Sequence, residues 1–117
     1  MTKMSDKEAD ALHIAETDGR WITPEALPTP YEDELLTCLI EEMLEVGQRA
    51  CKIQRFGAKQ IQPGHDDNNI QRMSREYGQM CYVWDLLSEC GLVDQQEAQR
   101  GYHEKGPKLR KYMQAKP

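Results

Sequence analysis

The sequence predicts an all-α protein built as an antiparallel helical bundle, and three observations carry that prediction. Two long stretches repeat apolar residues at three- and four-residue spacings. Capping residues and glycines fall at their ends, and no convincing strand interrupts them. At 117 residues the chain has the length of one ordinary domain. We divide it at its prolines into an N-terminal extension, residues 1–30, and a helical domain, residues 31–117.

In the extension, "SDKEADALHIAE" offers Ser5 as an N-cap with Glu8 three residues on, a capping-box pattern that predicts a short helix. "WITPEALPTPYED" follows with three prolines in seven residues and reads as an extended connector. From about Asp33 to Arg55, Leu35, Leu36, Leu39, Ile40, Met43, Val46, Ala50 and Ile53 mark the strongest amphipathic helix. "FGAKQIQPGHDDNN" has no periodicity and predicts an exposed loop, with Asn68 or Asn69 able to cap what comes next. Between about Ile70 and Glu89 a second helix carries Met73, Tyr77, Met80, Cys81, Trp84 and Leu87 on one face. Tyr77 and Trp84 therefore read as core, and Gly91 as the stop. Asp94 is placed to cap a third helix through "QQEAQRGYHEK". Gly106-Pro107 predicts a break before a last one at about Lys108–Gln114. The expected fold is thus two long helices plus shorter C-terminal helices. Two long helices hardly enclose a core alone, so a homodimer or homotetramer is expected to complete it.

Composition narrows the function classes. Hydrophobic residues make up 38% and charged residues 30%, and no apolar run approaches a membrane span, so a cytoplasmic protein with no membrane partner is expected. The polar, acidic start "MTKMSDKEADA" does not read as a signal peptide, so secretion is not expected. Cys38, Cys51, Cys81 and Cys90 form no CxxC pair and read as small packing residues. A net charge of −5 argues against nucleic acid as a partner. The C-terminal "HEKGPKLRKYMQAK" reverses that balance, and suits either a phosphate-bearing small molecule or a solvated tail.

Both long helices carry polar pairs at the shoulder of the apolar face. At about 100° per residue, Glu42 falls just outside the apolar arc of the first helix and Glu45 about 60° further out, with Arg49 between them. On the second, Glu76 sits at the rim and Gln79 about 60° beyond it. If the shoulders meet, three carboxylates and one amide converge, a donor set suited to Mg²⁺. The alternative is a solvated acidic face paired with Arg49, Lys52 and Arg75 along the helices.

"LIEEMLEVGQRACKIQRFG", followed by "NIQRMSREYGQMCYVWDLLSECGL" and the basic "KGPKLRKYM", resembles the MazG-like nucleotide pyrophosphohydrolases of the all-α NTP pyrophosphatase superfamily. The likeness is greatest to the small single-domain members of bacteria and phages, and it runs from about Tyr31 to Met113. The family pattern is Glu-Glu-x-x-Glu on one helix and Glu-x-x-Asp on another. Here the first motif stands as Glu41-Glu42-x-x-Glu45, and the second begins at Glu76. The resemblance implies Mg²⁺, with Mn²⁺ as a substitute, held at Glu42, Glu45, Glu76 and Gln79, and hydrolysis of (d)NTPs to (d)NMPs and pyrophosphate. It implies catalytic roles for Glu41 and Glu42, Glu41 orienting a ligand or the water, and phosphate contacts for Lys105, Lys108 and Arg110. Two departures stand out: Gln79 replaces the aspartate, and the gap from Glu45 to Glu76 is long. Asp85 lies about 180° from Glu76 and cannot take over, whereas Asp66 or Asp67 could reach in from the loop. The departure at Gln79 keeps a second expectation open, a catalytically silent relative that binds a nucleotide or a protein partner.

Overall fold

The computed structural model describes residues 27–117. Among the described residues the chain forms three helices, α1 (Pro30–Phe56), α2 (Asn69–Glu89) and α3 (Gln95–Tyr112). An isolated antiparallel bridge, Ile61 to Asn68, is the nearest approach to a strand. The all-α class predicted from periodicity holds. The helix expected after Ser5 and most of the proline connector lie outside the described residues. By its contacts the chain falls into two compact units, Met1–Glu34 and Leu35–Pro117, and the site described below lies wholly within the second.

Helix α1 begins a few residues ahead of the expected Asp33 because Thr29 starts it. The Thr29 hydroxyl accepts from the Glu32 N–H at 3.2 Å, while the Thr29 N–H donates to the Glu32 carboxylate at 2.8 Å. This reciprocal pair satisfies two otherwise orphaned donors, and Pro30 occupies the first helical position, where its missing N–H costs nothing. At the other end Gly57 turns left-handed (φ 96°) and its N–H bonds the Ile53 carbonyl at 2.9 Å, closing the helix.

Helix α2 is capped by Asn68. Its side chain accepts from the Gln71 N–H at 2.9 Å, and the Gln71 side chain accepts from the Asn68 N–H at 2.8 Å. It ends as expected at Gly91 (φ 77°), where the Leu92 N–H reaches the Leu87 carbonyl and the Gly91 N–H the Ser88 carbonyl, both at 3.0 Å. Those two bonds use carbonyls that the helix leaves without partners.

The C-terminal region departs from expectation. Asp94 caps α3 as predicted, accepting from the Glu97 N–H at 3.1 Å, but Gly106-Pro107 does not break it. A single helix runs through Pro107 to Tyr112, in place of two shorter ones. Proline removes one hydrogen bond and crowds the carbonyl four residues back. On an exposed helix water takes up that carbonyl, so the interruption stays local.

The core is thin. Among the described residues, Leu35 (8% exposed) and Leu87 (1%) are the buried apolar side chains and Asn69 (0%) the buried polar one. Ile40, Met43 and Leu44 of α1 and Tyr82 of α2 are solvent-facing. Tyr77, expected in the core, is 56% exposed, while Trp84 is half-buried. The physical reason is width: the apolar arcs of α1 and α2 are broader than the strip one helix can cover on another.

Candidate functional site

The shoulders of α1 and α2 meet. One carboxylate oxygen from each of Glu42, Glu45 and Glu76 lies within 4.8 Å of the others. Both helices run away from the same loop, so this contact makes α1 and α2 a helical hairpin with the acidic cluster on its seam. The i, i+3 spacing of Glu42 and Glu45 puts both on one side of α1, and Glu76 faces them across the seam. Glu42 and Glu76 are half-buried and Glu45 is exposed.

The electrostatics show a site in which like charges crowd, with Arg49 as a partial counterweight. The Oε2 atoms of Glu42 and Glu76 are buried and have no hydrogen-bond partner. Glu76 is held above the ordinary carboxylate range, chiefly because its side chain hydrogen-bonds Glu45, then through burial and the charges of Glu45 and Glu42; Arg49 opposes the rise. Protonation of Glu76 relieves like-charge repulsion. So would a cation. Three hard oxygen donors on two rigid helices, two with an unsatisfied buried oxygen, could hold a divalent ion that completes its shell with water.

Other candidates are placed differently. Glu41 is exposed beside Glu42, and Gln79 is exposed one turn beyond Glu76; neither belongs to the three-carboxylate group. Asp67 does not swing into the cluster. Its carboxylate pairs with the Arg75 guanidinium at 2.6 Å, and that hydrogen bond, outweighing burial, holds it below the ordinary range. Lys105, Lys108 and Arg110 are exposed along α3. Lys105 borders a shallow depression with Tyr102 and His103, and Arg110 borders another with Leu109 and Met113. The hydrogen bond between Tyr77 and Cys81 is the largest influence pushing the Tyr77 hydroxyl up, and Tyr102 of α3 adds a smaller one.

Sequence reasoning missed Asn69. Treated as an alternative cap, it is the most deeply buried residue described. Its Nδ2 donates to the Gly57 carbonyl and to Gln60 Oε1, both at 2.9 Å. A signal was present, since Asn69 precedes Glu76 by seven residues and so shares its face.

Fold and site together define an all-α chain with a carboxylate cluster on a helical hairpin. No protein family, curated protein or solved structure matches it. No described helix is long and apolar enough to cross a membrane.

Proposed function

We propose that the chain is a Mg²⁺-dependent nucleoside triphosphate pyrophosphohydrolase of the MazG-like kind, converting (d)NTPs to (d)NMPs and pyrophosphate. One observation carries this reading: Glu42, Glu45 and Glu76, the positions at which the two motifs place ligands, converge within 4.8 Å. The donor chemistry fits the ion. All three groups are hard oxygen ligands, and one buried oxygen each of Glu42 and Glu76 has no hydrogen-bond partner. Held at these residues, Mg²⁺ or Mn²⁺ would supply charge neutralisation at the phosphates and Lewis-acid polarisation of the anhydride.

The chain's own residues do the rest. Glu42, Glu45 and Glu76 would hold the ion, and the exposed Gln79 amide could offer a neutral oxygen beside them. Glu41, on the exposed side of Glu42, orients the attacking water and accepts its proton. Lys105, Lys108 and Arg110 provide positive charge for the polyphosphate. The test is pyrophosphate release from a panel of NTPs and dNTPs with Mg²⁺ or Mn²⁺. Turnover of at least one nucleotide is expected; no turnover together with no metal-induced rise in melting temperature rejects the enzyme.

A second reading, a silent relative binding a nucleotide or protein partner, is favoured by the exposed amide at Gln79 where the motif has aspartate. Under either reading the exposed Ile40, Met43, Leu44 and Tyr77 support assembly into a homodimer or homotetramer, since apolar surface of this extent on paired helices gains by burial. Light scattering on the purified chain is expected to give a mass of two or four chains. A monomer at micromolar concentration rejects that assembly.

A further inference from the structure

Even with the Glu45–Glu76 hydrogen bond, the like charges of the cluster make it a weak clamp, so the seam between α1 and α2 also needs contacts elsewhere. The loop between them is tied down at several points. The Ile70 N–H bonds the Ala58 carbonyl at 3.2 Å, Arg72 donates to Gln62 at 2.6 Å, and Arg75 pairs with Asp67 at 2.6 Å. Arg75 in that ion pair is well exposed, and such links contribute little. Asn69 differs from them in being wholly buried.

The Asn69 amide joins the two helices at their common end. Its Nδ2 donates to the carbonyl of Gly57, the residue that closes α1, and to Gln60 in the loop. Its own Oδ1 is buried without a partner. An apolar side chain of the same volume would avoid that unpaired carbonyl and the desolvation it brings. What an apolar residue cannot do is recognise one particular carbonyl. A buried amide that accepts a stability cost while fixing which residues face each other is the best-attested use of a lone polar group in an apolar helix seam. Seven residues turn a helix through about 700°, so Glu76 points within about 20° of Asn69, two turns along. Fixing Asn69 against Gly57 thus fixes Glu76 against α1.

The geometry points to Asn69 as a positioning residue: its hydrogen bond to the Gly57 carbonyl sets the register of α2 on α1, and so brings Glu76 to Glu42 and Glu45. The consequence for ion binding rests on the metal-site reading above; the register itself does not.

The experiment uses the full chain with its four cysteines replaced and spin labels at the exposed positions Gln48 and Tyr82, reading the α1–α2 distance without metal and the Mn²⁺ dissociation constant separately. Asn69→Leu is expected to keep helix content but shift the mean distance by about 1.5 Å or more, the rise of one residue, with Mn²⁺ binding weakened at least ~10-fold. Asn69→Asp covers the case in which the leucine variant does not fold. When protonated it can donate to the Gly57 carbonyl, and when ionised it cannot. Its distance is therefore expected to match the parent in acid and depart from it as pH rises, a change that loss of packing alone would not produce. Distances that stay at the parent's value in the folded variants overturn the register assignment, whatever the metal does. A shifted distance with unchanged Mn²⁺ affinity overturns the link to the site. Failure of the parent to bind Mn²⁺ rejects the metal reading alone.

Discussion

Replacing Glu76 by glutamine is expected to stabilise the metal-free protein at neutral pH and, under the proposed metal-site reading, to remove the response to metal and most of the proposed turnover. The two effects have one origin. Glu76 is held above the ordinary carboxylate range by its hydrogen bond with Glu45, by burial and by the charges of Glu45 and Glu42, so the folded state favours its protonated form. Folding is then favoured by this group below its ordinary value of 4.5, and that contribution is lost as pH rises through the raised value. A glutamine is neutral throughout and removes the slope. The expected gain near pH 7 is about 1 kcal/mol, the scale of a partly exposed charge interaction, or several degrees in melting temperature.

Asp67 contributes with the opposite sign. Arg75 holds it low, so its contribution is present above its ordinary value of 3.8 and is lost as pH falls through the folded one. The comparison between Glu76→Gln and the parent therefore belongs on the neutral side, where Asp67 stays charged in both. With Mn²⁺ the order reverses. An ion present at 100 times its dissociation constant stabilises the parent by about 2.7 kcal/mol. A variant lacking one of three carboxylates is expected to forfeit that gain and at least ~100-fold in pyrophosphate release, the upper range for disturbing even a neighbour of a ligand. Calorimetry with and without Mn²⁺ checks both halves. A Glu76→Gln protein as responsive to Mn²⁺ as the parent removes Glu76 from the site.

What the sequence made legible was whatever local periodicity and capping control. The two long helices, the caps at Asp94 and at Asn68, one of the two asparagines offered for that role, and the stop at Gly91 depend on neighbours within a few residues, and these appeared where expected. The cluster was legible because the shoulder positions of Glu42, Glu45 and Glu76 follow from the same wheel that sets the apolar faces. What depended on how much surface one helix covers was not legible. Tyr77 lies on an apolar face yet is exposed, since the three described helices offer too little partner surface to cover it. Pro107 was read as a break because propensity treats every helix interior alike, whereas on α3, with no buried residue, an unpaired carbonyl is met by water. Asp67 and Asn69 were both ambiguous for one reason: a loop rich in Asp and Asn offers many interchangeable polar pairings, and tertiary geometry alone assigns Asp67 to Arg75 and Asn69 to Gly57.

Gln79→Asp is the complementary test, and its expected effects are again opposed with and without metal. Gln79 stands one turn past Glu76, about 60° round the helix on the exposed side, where a carboxylate could reach the edge of the cluster. In the metal-free protein it adds a negative charge beside a group already held above the ordinary carboxylate range, so Glu76 is expected to rise further and the melting temperature at neutral pH to fall. With Mn²⁺ the same charge is an additional ligand. A tenfold gain in affinity corresponds to about 1.4 kcal/mol, a modest demand on a fourth carboxylate replacing a neutral amide, and pyrophosphate release is expected to rise with it. Both readings of the protein permit the loss of metal-free stability. They part on turnover. If the chain is a hydrolase weakened by its amide, restoring the carboxylate raises metal affinity and pyrophosphate release together. If the surroundings serve another ligand, affinity for Mn²⁺ rises through charge alone while no nucleotide is cleaved, because Glu41 and the basic groups of α3 no longer present a polyphosphate to the ion. Titrating Mn²⁺ and measuring pyrophosphate on the same preparation therefore separates the attenuated enzyme from the silent relative.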